Sequence, residues 1–280
     1  ARRQRQMCIR DRIYATIQYD TKLKSLLYGK IMYIETALKN IALNTIMDEI
    51  HSNSIYDMYD KAVSGYKNAP KGTAVLQKKK FQTNKLSLQG SIQKSITAAY
   101  QRENPKITHF YNNGNYDEVP IWAIFEILTM GDFGHLLSCL TENVRKKISI
   151  NIGLNLSSDT NYTLVYKYVY ALKDLRNAIA HNDVVYDTRF RKIDPSKPMK
   201  QCLIQAIGVP YINFKTIGDY IILICYYLKL LRVSKTEIKA FIREFENITK
   251  EYEKQVNSGV AAITIHPDLA SRIATLKKFI

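Results

Sequence analysis

Metal-binding and disulfide patterns are absent from this sequence of 280 residues. The four cysteines (Cys8, Cys139, Cys202 and Cys225) are scattered and form no C-x-x-C pair, which argues against a zinc site or a disulfide framework and is typical of reducing conditions. The five histidines are equally dispersed, and no H-E-x-x-H occurs. We therefore expect no metal site.

Motifs for nucleotide cofactors and for serine nucleophiles are missing as well. Neither G-x-x-x-x-G-K-[ST] nor G-x-G-x-x-G is present, so no glycine-rich loop is available to hold a cofactor phosphate. G-x-S-x-G is also absent. The paired carboxylates Asp57 and Asp60 lie in polar, turn-like sequence, where solvation explains them most simply. We expect no cofactor.

Long apolar runs are lacking too. The run "YIILICYYL" (220–228) has nine residues between Asp219 and Lys229, whereas about 20 are needed to span a bilayer. No signal peptide is visible. The run predicts a core helix, and we expect a soluble cytoplasmic protein with no membrane partner.

Acidic residues are scarce relative to basic ones. Lys plus Arg outnumber Asp plus Glu by 41 to 25, which gives a net charge of +16 and favours a polyanionic partner such as RNA over mere solubility charge. Residues 1–12 carry five Arg and one Asp, so +4 lies there and +12 remains elsewhere. We treat this leader as either an artefact or a nucleic-acid-binding arm and base nothing on it.

The basic residues are unevenly distributed. Residues 61–102 contain no acidic residue and nine basic ones, with "QKKKFQTNK" (77–85) the densest part. A weaker basic run follows at 189–200. A solvated surface would explain either run, but forty-two residues without one acid favour contact with nucleic acid, and Tyr66, Tyr100 or Tyr111 could stack on unpaired bases. The predicted RNA-binding residues are Lys71, Lys78, Lys79, Lys80, Lys85, Arg189, Arg191 and Lys192.

Apolar residues recur at helical spacing along the whole chain, and no segment shows sustained alternation, so the predicted class is all-α. Gly131 and Gly134 are expected to bracket a break, and Asp117 or Glu118 to lie at the positive end of a helix that begins at Pro120. We expect a leader (1–12), one helical domain (13–256) with a basic segment at about 61–102, and a C-terminal linker with a short helix (257–280). Helices are predicted at 13–50, 73–100, 159–180, 216–231, 235–256 and 268–278. A further helix begins at Pro120, and one or two short helices after it continue to about residue 152. Residues 188–215 are expected to form an irregular connection.

The segment "DLRNAIAHNDVVYD" (174–187) places Arg176 and His181 five residues apart at the end of an apolar helical pattern. Five residues of ideal helix give a rise of about 7.5 Å and a rotation of about 140°, so the two side chains do not share a face. They can meet only if the helix ends or distorts near Ala180, or if a second copy of the chain contributes to one site. A structural role for both residues is the simpler alternative.

The residue types in this segment suit RNA cleavage without a metal. Histidine can take and give a proton near neutral pH, and the guanidinium fork of arginine matches phosphate oxygens. With the 2′-hydroxyl attacking its own phosphate, His181 would handle a proton and Arg176 would stabilise the transition state. Asn177 and Asn182 could orient the imidazole or the phosphate.

Three blocks carry a resemblance to a known family. "LRNAIAHN" (175–182) resembles the R-x4–6-H motif of HEPN ribonucleases. "VPIWAIFEILTMGDFGHLL" (119–137) and "LLYGKIMYIETALKNIAL" (26–43) are similar to segments of AbiD/AbiF-type abortive-infection proteins, with Glu35 and Lys39 at the charged positions of the family's first core helix. Together the blocks lie within about residues 13–187.

The resemblance implies a helical HEPN-like bundle with additional helices, a homodimer in which two Arg–His motifs face each other, and a role in phage defence. The predicted function is a metal-independent endoribonuclease toxin of abortive infection or a toxin–antitoxin pair, regulated by a bound structured RNA. A non-catalytic RNA-binding protein that forms a ribonucleoprotein is the main alternative, and a helical sensor of a phage protein is a third.

Other residues near these motifs receive supporting roles. Catalytic assignments are limited to Arg176, His181 and Asn177. Trp122 is expected to pack in the core rather than to serve as a stacking platform. Asp183 is expected to pair with Arg176 or to cap the helix end. Residues predicted to support the site are Asn182, Asp183, Glu35 and Glu126.

Overall fold

The structure is a computed structural model that describes residues 2–112, 118–159, 161–192 and 194–280, with the backbone only at 2–8 and 158. These ranges contain helices and no β-strand, apart from one isolated bridge between Val63 and Leu140. The all-α prediction is confirmed. The helices are α1 (Arg2–Ile50), α2 (Ile55–Asp57), α3 (Val75–Gln101), α4 (Pro105–Asn112), α5 (Ile121–Ile127), α6 (Met130–Cys139), α7 (Glu142–Ile152), α8 (Leu164–Ala180), α9 (Lys197–Ile207), α10 (Ile217–Leu230), α11 (Lys235–Gln255), α12 (Ser258–Thr264) and α13 (Leu269–Phe279).

The chain forms two compact units, and α1 and α8 each contribute to both. The terminal unit comprises Ala1–Ile34 and Ala171–Ile280, and the middle unit comprises Glu35–Tyr170. The core of the terminal unit is built on α10, the predicted core helix, in which every residue from Ile217 to Leu228 is buried. A helix that is apolar on all sides is stable only inside a core, so α11 and α13 pack against it.

A buried ion pair joins α10 to α13 in the terminal unit. Asp219 and Arg272 are almost fully buried and pair directly, and the second carboxylate oxygen of Asp219 accepts from the backbone N–H of Phe214 at 2.7 Å. The guanidinium of Arg272 also lies 4.8 Å from the ring centre of Tyr211, and burial lowers the pKa of Arg272. These contacts satisfy charges that would be costly to bury alone, and they fix the loop before α10.

The predicted helix boundaries differ from the structure in two places. Gly131 and Gly134 do not bracket a break, because both lie within α6, and the break falls at Leu128 and Thr129, where the hydroxyl of Thr129 caps α6 by accepting from the N–H of Asp132. The connection at 188–215 is not wholly irregular, since α9 occupies its centre with Pro198 in the first turn. A proline in the first helical turn loses no hydrogen bond.

Two further expectations about the α5 region are wrong. Glu118 does not serve α5: its carboxylate accepts from the backbone N–H of Ile55 at 2.7 Å and from the hydroxyl of Ser54, so it caps α2 instead. Asp117 lies outside the described residues. Trp122 is not a core residue, because 43% of it is exposed on the surface of α5. Its four-residue spacing from Glu126 defines the exposed side of this short helix.

None of the helices in the described ranges combines the length and the apolarity that a membrane span requires.

A substitution at Gly134 tests the packing of α6 in the middle unit. A Cβ at this position would lie 3.0–3.3 Å from three ring atoms of Tyr170, so there is no space for a β-branched side chain. We expect Gly134→Val to destabilise the fold by about 1–3 kcal/mol through overpacking, measured as a lower midpoint of thermal unfolding by circular dichroism.

Gly90→Val is the matched control, because a Cβ at Gly90 in α3 would meet no atom within 4 Å. We expect its midpoint to stay close to that of the original protein. Equal midpoints for the two variants would contradict the packing of Gly134 against Tyr170.

Candidate active site and RNA-binding surface

Helix α8 ends directly at the Arg–His segment. The backbone N–H of Asp183 donates to the carbonyl of Ala178 at 2.8 Å, and the N–H of Asn182 donates to the carbonyl of Ile179 at 3.2 Å. With Asn182 at a φ of 59°, these two bonds form a Schellman motif, in which a left-handed residue closes the helix. Asn tolerates this conformation better than most residues, so the predicted helix end near Ala180 is confirmed.

Arg176 and Asn177 lie in the last two turns of α8. Both are half-buried, and Nη1 of Arg176 lies 3.4 Å from the side-chain oxygen of Asn177. Their neighbours Leu175 and Ala178 are buried in the terminal unit and hold this part of the helix in place. The guanidinium of Arg176 therefore lies beside the side-chain amide of its neighbour.

His181 lies at the C-cap of α8 with its side chain exposed. Its backbone N–H still makes the helical bond to the carbonyl of Asn177 at 2.9 Å, so the chain reverses direction only after His181. The rotation of about 140° between Arg176 and His181 is thus retained along the helix. The imidazole has no hydrogen bond to any residue that the structure describes, which leaves both ring nitrogens available.

A pair of charged residues on α1 fixes the turn after His181. Asp20 is 6% exposed, and its Oδ1 accepts from the backbone N–H groups of Val185 at 2.8 Å and Tyr186 at 3.0 Å. Lys24 pairs with Asp20 at 2.8 Å and also donates to the carbonyl of Asn182 at 3.2 Å and to its side-chain oxygen at 2.8 Å. We call Asp20 and Lys24 the α1 clamp.

A groove of about 580 Å³ runs beside this turn in the terminal unit. Its walls come from the first half of α1, the 182–186 segment and Val260, and Tyr186 is half-buried in it. Burial and the nearby carboxylate of Asp187 raise the pKa of Tyr186, so its phenol stays protonated at neutral pH and can donate a hydrogen bond. Asn182 also lines the groove, which has room for a ligand next to the Arg–His segment.

Asn182 and Asp183, predicted to support the site, act mainly through the backbone. Asn182 closes the helix and binds Lys24, as described above. The carboxylate of Asp183 is exposed and makes no ion pair within the described ranges, and its N–H completes the helix end. The contribution of Asp183 seen in the structure is therefore to the turn rather than to a charge pair with Arg176.

Glu35 and Glu126 belong to the middle unit. Glu35 is buried on α1 and pairs with Lys39 at 2.8 Å, whose Nζ also donates to the carbonyl of Leu128 at 2.6 Å. Glu126 is exposed on α5 and pairs with Lys106 at 2.5 Å. The Glu35–Lys39 pair therefore ties α1 to the end of α5, whereas Glu126 ties α5 to α4.

The predicted RNA-binding lysines of the first basic run all lie in the middle unit. Lys71, Lys79 and Lys80 are exposed. Lys78 is half-buried with its Nζ 5.8 Å from the ring centre of Tyr66, and the stem of half-buried Lys85 packs near Gly65. Lys71, Lys79 and Lys80 are thus the most accessible to a phosphate backbone.

The second basic run lies in the terminal unit, and only part of its charge is available. Arg191 is half-buried, donates to the carbonyls of Asn213 and Phe214 at 3.0 and 3.2 Å, and pairs with Asp194. Arg189 pairs with Asp187 at 2.5 Å. Lys192 is exposed. Arg191 therefore has a clear structural role beside its predicted one.

The α1 clamp was not predicted from the sequence. Asp20 and Lys24 are four residues apart on α1, which is the spacing of a helical ion pair, and Asp20 follows the buried Tyr19 on the apolar stripe. A carboxylate inside an apolar stripe was a usable signal. The partner of that carboxylate, 165 residues further along the chain, had no signal of its own.

Metal-ligating side chains do not converge in the part of the chain that the structure describes, where no group of three or more His, Cys, Asp or Glu residues could hold an ion.

Comparison with known proteins identifies the family. The family model described as Abi-like protein matches residues 7–187, which is more than half of the chain and ends just after the Arg–His segment. The chain therefore belongs to the Abi-like protein family, which suggests a role in abortive infection, a defence against phage. No curated protein and no solved structure is significantly similar to the chain.

Removing the carboxylate of Asp20 tests the α1 clamp. We expect Asp20→Ala to leave the N–H groups of Val185 and Tyr186 without their acceptor, at a cost of about 1–3 kcal/mol, because unpaired buried donors are expensive. Amide hydrogen exchange resolved to single residues should show faster exchange at Val185 and Tyr186 than in the original protein.

Asp48→Ala is the control, because Asp48 is an exposed α1 residue that makes no ion pair among the described residues. Its exchange at 185 and 186 should be unchanged. Equal protection of these two amides in Asp20→Ala would show that the clamp does not hold the turn.

Proposed function

We propose that the protein is a metal-independent endoribonuclease of the HEPN class, with Arg176 and His181 as its catalytic residues and Asn177 as an orienting group. The observation that carries the proposal is the anchored end of α8, where an exposed imidazole follows a half-buried arginine beside the Asn177 amide, in a chain of the Abi-like family. The fixed turn holds the backbone that carries both residues, which a catalytic pair requires.

The reaction needs no group beyond those of the RNA and the two side chains. The 2′-hydroxyl loses its proton to an imidazole, its oxygen forms a bond to the adjacent phosphorus, and the bond from phosphorus to the 5′-oxygen breaks. An imidazolium gives a proton to the departing 5′-oxygen, so the proton balance closes and the products are a 2′,3′-cyclic phosphate and a 5′-hydroxyl. Arg176 stabilises the charge on the phosphate oxygens during this step.

The helix geometry favours a site shared by two copies of the chain. Because the chain reverses only after His181, the backbone keeps Arg176 and His181 on different faces of α8. A second α8 in a symmetric homodimer can supply the complementary residue, since each copy presents the same patch. We therefore propose a homodimer in which the Arg–His segments of the two copies face one site.

RNA is proposed both as the substrate and as a regulatory partner. The support is the basic run in the middle unit, where exposed Lys71, Lys79 and Lys80 lie in forty-two residues without an acid. Such a surface binds phosphate backbones with little dependence on sequence. A structured RNA held there would regulate the nuclease in a toxin–antitoxin arrangement.

Substitution of the two motif residues tests the nuclease. We expect purified protein to cleave single-stranded RNA in EDTA, and Arg176→Ala and His181→Ala each to reduce the rate by at least about 100-fold, because each removes a charge donor or a proton carrier. Mapping of the product ends should give a cyclic phosphate and a 5′-hydroxyl.

Arg243→Ala and His51→Asn are the controls. Arg243 is exposed on α11, and His51 has a φ of 53°, which asparagine accepts readily. Both should cleave at the original rate. Cleavage that survives both motif substitutions would exclude the nuclease proposed here.

Mixing the two inactive variants tests the shared site. In a mixed dimer one copy keeps Arg176 and the other keeps His181, so one complete pair forms and part of the activity should return. Mixed dimers isolated with two different affinity tags that remain inactive would contradict a site composed of two copies.

Charge reversal tests the basic surface. We expect Lys79→Glu combined with Lys80→Glu to weaken RNA binding and to make its salt dependence shallower by about 1.4 logarithmic units per decade of salt, which corresponds to two lost single-strand phosphate contacts. Lys78 is left unchanged because it packs over Tyr66.

Lys235→Glu combined with Lys239→Glu is the matched control, since both residues are exposed on α11. The control should retain the original slope of affinity against salt. A slope unchanged by the substitutions at 79 and 80 would remove these lysines from the RNA-binding surface.

A further inference from the structure

Five aromatic rings form one surface of the middle unit, which we call the aromatic face. It is built where α3, α4 and α5 pack on one another. Three pairs of its rings pack edge to face. The distance between ring centres is 5.4 Å for Tyr100 and Tyr111, 5.4 Å for His109 and Phe110, and 5.7 Å for Phe110 and Trp122. Its members are Tyr100, His109, Phe110, Tyr111 and Trp122.

The aromatic face is exposed although its rings are large. Tyr100 is 44% exposed, Tyr111 is 39% exposed and Trp122 is 43% exposed. Ile107 of α4 and Ile96 and Ala99 of α3 are buried, and their burial anchors the helices that carry the rings. Clustered, firmly held rings that remain in solvent are unusual on a protein surface and mark a binding site.

The surroundings of the aromatic face indicate which ligand it binds. Helix α3 runs from the exposed Lys79 and Lys80 to Tyr100 without an acidic residue, over about 30 Å, and Arg102 follows directly. The nearby carboxylate of Glu126 is paired with Lys106, and Glu103 is the acidic residue next to Arg102. A basic helix that leads to exposed rings matches a strand with a charged backbone and unpaired bases.

We propose that the aromatic face stacks on unpaired bases of single-stranded RNA, while the lysines of α3 bind the backbone of the same strand. The proposal rests on RNA as the ligand of the proposed function, and it adds the part of the RNA that is recognised. Duplex RNA hides its base faces, so it can use the lysines but not the rings. The aromatic face would thus select loops and single strands over helices.

Trp122 provides a direct measurement, because it is the single tryptophan of the chain. The probe is an RNA of about twelve nucleotides, within the range of known single-strand sites, with 2′-O-methyl groups that prevent cleavage. We expect this strand to quench the fluorescence of Trp122 in a saturable way, because a stacked base contacts the indole. The same strand annealed to its complement should bind without quenching.

Substitutions at the rings give a second, independent readout. Tyr100→Ala and Tyr111→Ala should each weaken binding of the single strand by about tenfold, as the loss of one base–ring stack predicts, and leave binding of the duplex unchanged. Tyr100→Phe and Tyr111→Phe keep the ring and should bind normally. Tyr28→Ala, an exposed aromatic on α1, is the surface control.

All binding measurements use the Arg176→Ala background, so they do not depend on cleavage. If the fluorescence of Trp122 is unchanged at saturating RNA, or if the alanine variants lose single-strand and duplex affinity equally, the proposal is overturned. Failure of the nuclease would instead appear as absent cleavage with intact quenching, so the two failures are distinguishable.

Discussion

One buried carboxylate, Asp20, connects the first helix to the turn that follows His181. A carboxylate that accepts two backbone N–H bonds and pairs with Lys24 is satisfied on every side, so burial costs it little. Without it, the 182–186 segment would have two unpaired donors, and the exposed end of α8 would have no fixed reference. The Schellman motif sets where the helix ends, and the α1 clamp sets where the chain goes next. Every proposal about Arg176 and His181 depends on both.

The periodic parts of the fold could be predicted from the sequence, whereas its irregular parts could not. The apolar stripes of α1 and α10, and the helix end near Ala180, follow from local spacing and from residues with known terminal preferences. Helix α9 is hard to predict because prolines often mark breaks, although Pro198 lies in a first turn. Local spacing assigns Glu118 to the adjacent α5, whereas it caps α2, which is distant in sequence. Tertiary partners of this kind leave no local pattern.

In the candidate site, too, contacts between residues far apart in sequence could not be predicted. The motif residues were identifiable from chemistry and family resemblance, because their types and spacing are short-range features. The clamp needed a partner 165 residues away, and the exposure of Trp122 depends on how short α4 and α5 pack against α3. A tryptophan in an apolar segment is ordinarily read as core. Only the structure shows that this ring and its neighbours face solvent.

The groups that the proposed function uses are distributed over both units. The terminal unit contains the Arg–His segment and its clamp, and the middle unit contains the acid-free lysine run and the aromatic face. The family match at residues 7–187 includes all of these features and leaves out α9 to α13. The region shared with the family is therefore the one that carries every group in the proposed reaction, while the remaining helices complete the core of the terminal unit around the buried Asp219–Arg272 pair.

The left-handed backbone at Asn182 changes how substitution data on this segment should be interpreted. At a φ of 59° the backbone itself favours asparagine or glycine, regardless of what the side chain touches. A scan of all substitutions would therefore record a loss at position 182 that comes from the backbone, and would score it as part of the reaction. If position 182 tolerates glycine and no other replacement, the requirement is for the left-handed backbone and not for the chemistry of the side chain. The set of positions that such data assign to the active site would thus include a residue that is needed to end the helix.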